Sequence, residues 1–213
     1  KKKTYRLCKK LGILHPQRRK KTHYPRRLAR NAEVTASNQQ WQLDIKYGYV
    51  AGYDQFFFIA YMIDVFDRTI VGYHVGSSCE AKDVCRMVEA ALETRIGLGE
   101  KTPTIRTDNG PQFVSKAFGE LCERRAITHE RILPKAPNLN AYIEAFHATL
   151  ERDLLSKEDF ATFQEAFDAV ANYISFYNNR RLHRSLVKRS PAVFMEWART
   201  KTPEELECYK RVV

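Results

Sequence analysis

Between residues 41 and 75 the apolar positions come in three short runs, 41–50, 56–65 and 69–75, rich in aromatic and β-branched side chains and broken at Gly52-Tyr-Asp54 and at Asp67-Arg68. Runs of this composition divided by turn residues predict three antiparallel strands. The period then changes. Over 82–96, Val84, Val88, Ala91 and Leu92 share one stripe and Gly97 follows, which predicts a helix with its stop. A short strand over 103–107, a helix over 113–125 with Phe118, Leu121 and Cys122 inward, and a strand over 127–131 complete the set. This order predicts an α/β chain with a mixed five-stranded sheet flanked by helices.

Beyond Pro134 and Pro137 the pattern is helical again, over 141–155 and 159–177. The second stretch carries Phe160, Phe163, Phe167, Val170, Ile174 and Tyr177 at helical spacing, a core stripe and not a ligand cradle. Pro191 opens a last short helix through Trp197. At the other end, Tyr5 to Ile13 reads as the tail of a helix, with Leu7 and Leu11 four apart and Gly12 as stop. Residues 15–38 lack apolar periodicity and hold Pro16 and Pro25, so an extended, mobile linker is expected. Three regions follow: a basic arm and linker over 1–38, an α/β core over 39–157, and a helical extension over 158–213 packed on that core.

Charge is unevenly spread. The formal net charge is +11, yet residues 1–31 hold 13 of the 36 Lys and Arg and no acidic residue, leaving 23 basic against 25 acidic elsewhere. The excess is an N-terminal arm, in which Arg18, Arg19, Lys20, Lys21, Arg26 and Arg27 stand with Tyr5, His23 and Tyr24 interleaved. Such a segment suits nucleic-acid phosphates, with a solvated basic tail as the plainer reading. Five cysteines, Cys8, Cys79, Cys85, Cys122 and Cys208, contain no C-x-x-C pair and are odd in number, which fits free thiols in a reducing compartment. Cys8, His15 and His23 lack the count and spacing of a structural zinc site. No stretch approaches the ~20 apolar residues of a membrane span, and no apolar segment follows the basic N-terminus, so a cytoplasmic protein is expected. The absence of an initiator Met suggests a fragment or processed chain with a region upstream.

Three carboxylates hold the chemistry: Asp44 in Trp41-Gln-Leu-Asp-Ile-Lys-Tyr, Asp108 in Ile105-Arg-Thr-Asp-Asn-Gly-Pro-Gln-Phe113 and Glu144 in Asn140-Ala-Tyr-Ile-Glu-Ala-Phe-His147. Each alone has a bland reading: an alternation position facing water, a turn in which Asn and Gly tolerate positive φ, and a surface glutamate. Together they differ. The strand pattern sets Asp44 near the middle of the sheet and Asp108 at the carboxyl end of a neighbouring strand, and the helix of Glu144 can cross the edge. Carboxylates that converge only in the fold suit magnesium or manganese, not zinc. Two such ions ~4 Å apart would serve an in-line displacement at phosphorus.

At this point the chain resembles the integrase-type transposases of bacterial insertion sequences, most closely the IS3-type group, whose RNase H-like catalytic core is shared with retroviral integrases. The matching stretches are Trp41-Gln-Leu-Asp-Ile-Lys-Tyr47, Ile63-Asp-Val-Phe-Asp-Arg-Thr-Ile-Val-Gly72, Thr107-Asp-Asn-Gly-Pro-Gln-Phe113, Pro137-Asn-Leu-Asn-Ala-Tyr-Ile-Glu144, Tyr177-Asn-Asn-Arg-Arg-Leu-His-Arg-Ser-Leu186 and Ser190-Pro-Ala192, in order over about 37–195. The resemblance implies that Asp44, Asp108 and Glu144 form an acidic triad holding two magnesium (or manganese) ions, with Asp44 shared. It implies that Asn109 and Gly110 shape the turn presenting Asp108, and that Asn140 helps place the loop ahead of Glu144. It further implies a helix-turn-helix region upstream and a homo-oligomer bridging DNA ends, with no membrane partner.

The chain departs from the family at Glu151, where a Lys or Arg usually stands for a phosphate contact; here Arg152 is one step round. Gln112 replaces a common Glu and carries little meaning. Arg180, Arg181 and Arg184, followed by Lys188 and Arg189, read either as a solvated helix end or as a DNA-backbone contact. Lys135, Asn109, Arg152 and His147 complete the candidate DNA contacts, while His74 and His129 read as ordinary strand residues. The expected activity is metal-dependent cleavage of element ends followed by strand transfer of the 3′-hydroxyl into target DNA. The alternatives are a nuclease of the same fold that only hydrolyses, and a catalytically idle DNA-binding protein.

Overall fold

In the computed structural model residues 2–12, 33–97, 100–132, 137–202 and 204–206 are described. Five strands, β1 (Gln40–Val50), β2 (Gln55–Asp64), β3 (Ile70–Gly76), β4 (Thr104–Thr107) and β5 (Thr128–Arg131), form one sheet in the order β3-β2-β1-β4-β5. The first three pair antiparallel as a meander, whereas β4 lies parallel to β1 and β5 parallel to β4. The mixed α/β sheet expected from the hydrophobic pattern is therefore present, and β1 is its middle strand.

The described residues also form six α-helices: α1 (Lys2–Lys10), α2 (Ala81–Arg95), α3 (Lys116–Arg124), α4 (Ala141–Leu150), α5 (Phe163–Asn179) and α6 (Pro191–Arg199). Alternation along β1 divides the core in two. Trp41 and Leu43 bury on the side of Val84, Val88 and Leu92 from α2 and Phe118 and Leu121 from α3. On the opposite side, Ile59, Tyr61 and Ile63 of β2 meet Ile143, Phe146 and Leu150 of α4 and Val170, Ile174 and Tyr177 of α5. The result is a three-layer arrangement, the stable answer for a sheet apolar on both faces. Gly48 permits a close approach on this second side, since a Cβ there would lie 2.2 Å from the Phe57 ring. None of the helices among the described residues is long and apolar enough to cross a membrane.

Several expectations need correction. Residues 34–38 are not free linker: Ser37 Oγ donates to Asp67 (2.7 Å), the Asn38 amide donates to Asp64 (2.7 Å), and Val34 packs beside Phe66 and Leu186. Asp64 and Asp67 are fully buried, and buried carboxylates need donors. Trp41 Nε1 and the Phe66 amide supply two more to Asp64, and Arg95 reaches both carboxylates. The helix expected over 159–177 begins at Phe163, because Thr162 and Glu165 cap each other's backbone amides, leaving Phe160 outside to bridge Val50. The helix expected over 141–155 is α-helical only to Leu150 and continues as a π-helical turn, Glu151–Leu155. Arg18, Arg19, Lys20, Lys21, Arg26, Arg27, His15, His23, Tyr24, Lys135 and Cys208 lie outside the described residues.

Candidate active site

Two elements of the central sheet bring the first two carboxylates together. The parallel register pairs Leu43 with Thr107, so the next residue of each strand, Asp44 and Asp108, leaves the β1 and β4 backbones side by side. Adjacent strands lie about 4.8 Å apart. Asp44 accepts from the Ile45 amide through Oδ1 (2.8 Å), and Asp108 accepts from the Gly110 amide through Oδ1 (2.7 Å). The turn after Asp108 is thus closed by its own carboxylate. Neither Asn109 nor Gly110 takes positive φ. Glycine is favoured at 110 by proximity, since a Cβ would stand 3.0 Å from Asp108 Oδ1 and 3.2 Å from the Phe113 ring. Asn109 ties the turn down by donating to the Ile132 carbonyl (2.9 Å).

Glu144 comes from the first turn of α4, and two buried polar residues set where that helix begins. Gln42, on β1 and on the same side as Asp44, donates to the Leu139 carbonyl (3.3 Å) and accepts from the Ile143 amide (3.1 Å). Arg106 on β4 donates to the same carbonyl (2.9 Å) while held by Glu130 of β5 (3.1 Å). Asn140, expected to place this loop, is buried at the N-cap, but its Oδ1 has no partner and caps nothing. Sequence reasoning missed Gln42 and Arg106. The available signal was weak: Gln42 shares its strand face with Asp44, and Arg106 stands two residues before Asp108.

The electrostatics report convergence. Asp44 is pushed up to about 6, first by burial and then by the charges of Asp108 and Glu144, which oppose the backbone bond from Ile45. Its Oδ2 faces His147 Nε2 at 3.9 Å, too far for a hydrogen bond. This is not an ion pair: burial, aided by the positive charge of Lys46, lowers His147 to about 4, so the ring is neutral at physiological pH. The ring stands edge-on to Tyr61, and its Nε2 is buried without a partner.

Among the described residues, no group of three or more His, Cys, Asp or Glu side chains is gathered closely enough to grip an ion as it stands. Two of the carboxylates accept from neighbouring backbone amides, Asp44 from Ile45 and Asp108 from Gly110. The donor set of the three carboxylates is nonetheless oxygen-only. That chemistry fits a hard divalent cation held by Asp44, Asp108 and Glu144.

Lys46, one strand repeat beyond Asp44, pairs with Glu151 (2.7 Å). Arg152 instead pairs with Asp153 (2.9 Å), which also takes Arg181 (3.3 Å) and the Tyr173 hydroxyl (3.1 Å). Arg180 and Arg184 are exposed, and Arg181 is partly covered. His74 and His129 behave as strand residues, the first contacting the Ser78 carbonyl and the second the Thr107 hydroxyl.

Two family models, each described as an integrase core domain, match residues 34–137 and 125–191. The chain is 30% identical over 202 residues to an uncharacterized 39.2 kDa protein of insertion element IS476 from Xanthomonas euvesicatoria, covering 93% of this chain and 56% of that protein. It is 29% identical over 168 residues to the transposase for insertion sequence element IS904 from Lactococcus lactis, covering 78% and 64% respectively. The chain thus spans little more than half to under two thirds of these relatives. Among solved structures it is similar to the HTLV-2 integrase catalytic core domain in complex with magnesium (TM-score 0.54, 19% identity, 75% of this chain and 97% of that one). It is also similar to a chain of the simian T-cell lymphotropic virus intasome bound to a PP2A regulatory subunit (TM-score 0.63, 17% identity, 88% and 66%). At such identities the likeness is one of fold.

Proposed function

The chain belongs to the integrase core domain family, with its RNase H-like fold, and from that premise we propose that it is a DNA transposase of the insertion-sequence type. Its reaction would be cleavage at the ends of a mobile element and joining of the freed 3′-hydroxyl to target DNA. One observation carries this reading: a parallel strand pair sets Asp44 beside Asp108 while Gln42, on the same strand as Asp44, fixes the start of the Glu144 helix.

Asp44, Asp108 and Glu144 would hold the divalent ions, magnesium or manganese, with Asp44 shared between two. Bound there, the ions supply Lewis acidity to the attacking oxygen and charge neutralisation to the leaving one. The protein's own part is placement. The sheet fixes two carboxylates relative to each other, and the helix brings the third. In the first step a water oxygen bonds to phosphorus, loses its proton and displaces the element's 3′-oxygen. In the second, that 3′-hydroxyl attacks a target phosphodiester and a target 3′-oxygen leaves. Each step exchanges one P–O bond for another, with no covalent enzyme intermediate.

Phosphate contacts would come from the basic arm, Arg18 to Lys21 with Arg26 and Arg27, from Lys135, and from the exposed Arg180 and Arg184. The relatives named as transposases support a mobile-element substrate, and the intasome likeness supports assembly of several copies on DNA. Three units fit the chain: an arm, a core ending near residue 157, and a helical extension.

The test is a joining assay with pre-cleaved and uncleaved element ends in magnesium or manganese. Asp108→Asn and Glu144→Gln should each abolish cleavage and joining while binding of the same DNA survives. Joining by either variant at the wild-type rate would overturn the assignment, and hydrolysis without joining by the wild-type chain would make it a nuclease.

A further inference from the structure

Lys46 stands two residues beyond Asp44 on β1, so both side chains leave the same face of the strand about 7 Å apart. Glu151 stands seven residues after Glu144, hence on the same face of its helix about two turns on. Their ion pair of 2.7 Å therefore spans the rim of the carboxylate pocket from strand to helix. About four fifths of the Lys46 side chain is buried while Glu151 is half exposed, so the ammonium is held in place rather than left to sample solvent. The neighbouring Arg152 is engaged by Asp153. With Asp44, Asp108, Glu144 and Glu151 around one rim, a phosphodiester meets strong repulsion unless a cation faces it, and a lysine ammonium serves as a point charge for phosphate.

We propose that Lys46, held by Glu151, is a positioning residue that grips a DNA phosphate beside the reacting one. This rests on the transposase reading above. On DNA binding the ammonium exchanges the Glu151 carboxylate, wholly or in part, for a phosphate oxygen. Glu151 keeps it aimed at the pocket until then. The plainer account is a surface ion pair of little energetic weight that never meets DNA.

The experiment measures joining of a pre-cleaved element end by the full chain, with neutral methylphosphonates placed one at a time around the reacting phosphate. Lys46→Gln should slow joining about 10- to 100-fold, the range of a lost phosphate clamp. Lys46→Arg should recover most of that. One methylphosphonate should slow the wild type by the same factor and slow Lys46→Gln no further, a coincidence that a purely structural role would not produce. The slope of log affinity against log salt should fall by about one in Lys46→Gln. Glu151→Gln should instead tighten DNA binding several-fold at low salt, and it keeps the proposal testable if Lys46→Gln fails to fold. The proposal is overturned if Lys46→Gln joins at the wild-type rate, if both proteins respond alike to every methylphosphonate, or if Glu151→Gln weakens binding. A wild-type chain that joins no ends at all would instead sink the transposase reading, which separates the two failures.

Discussion

Asp44 is ionised at neutral pH only against burial and two neighbouring carboxylates, and this has a measurable cost. A carboxyl whose pKa rises from 3.8 unfolded to about 6 folded prefers its proton in the fold. The stability it contributes is present below pH 3.8 and lost as pH rises through 6. Asp44→Asn, which can still accept from the Ile45 amide, should therefore be more stable than the wild type at pH 8 in chelator, by about 3 kcal/mol. Calorimetry should show that gap closing below pH 4, and added magnesium should raise the wild-type transition but not the variant's. His129 works in the other sense. Burial lowers it from 6.5 to about 4, so the unfolded chain takes up a proton first and stability falls as pH drops through that window. His129→Gln should lose less stability than the wild type between pH 6.5 and 4.5. The comparison must be of slopes, because Asp44 and Asp64, both raised to about 6, oppose the trend in each protein.

At the scale of elements, the helix that presents Glu144 is only as well placed as its first turn. Gln42→Ala would leave the Ile143 amide unpaired in a buried setting, a loss of about 1–3 kcal/mol. All three carboxylates would remain, yet joining should fall at least tenfold, because Glu144 would no longer be held over β1. Urea unfolding and the joining rate of this one variant would show both effects; a destabilised protein that joins normally would mean the clamp serves the fold alone. This clamp was illegible in the sequence for a physical reason. Gln42 and Ile143 are 101 residues apart, and nothing local to either marks the pairing. The strands were legible because burial on both faces fills them with aromatic and β-branched residues between turn residues, and α2 because burial on one face imposes period 3.6. The start of α5 was misplaced where two signals competed, since the apolar stripe runs back to Phe160 but the reciprocal Thr162 and Glu165 cap decides where the helix begins. The turn at Asp108 was legible from Asp-Asn-Gly, but not the bond that closes it, which runs from the Gly110 amide to the carboxylate itself.

Over the whole molecule, the proposed transposase reading assigns attraction for DNA and chemistry on DNA to different parts of the chain. Residues 1–31 hold 13 basic and no acidic residues, the rest sums to −2, and the pocket itself is acidic. Long-range attraction must then fall mainly on the arm, because a near-neutral body with a negative site gives polyanions little reason to approach. The charge step was plain from sequence, but where the folded unit starts was not, since the bonds that anchor 34–38 come from Asp64 and Asp67, some thirty residues on. α1 buries no side chain, so little of the core's stability can reside in it. A chain lacking residues 1–32 keeps Val34 and the donors to Asp64 and Asp67, and should melt within a degree or two of the full chain. Its DNA affinity should drop sharply at low salt, and the slope of log affinity against log salt should shrink by several, one for each phosphate the arm had neutralised. If the two chains instead show parallel salt dependence in fluorescence-anisotropy titrations, the arm is a solvated tail, and the residues that hold DNA phosphates must be sought on the core at Lys46, Arg180 and Arg184.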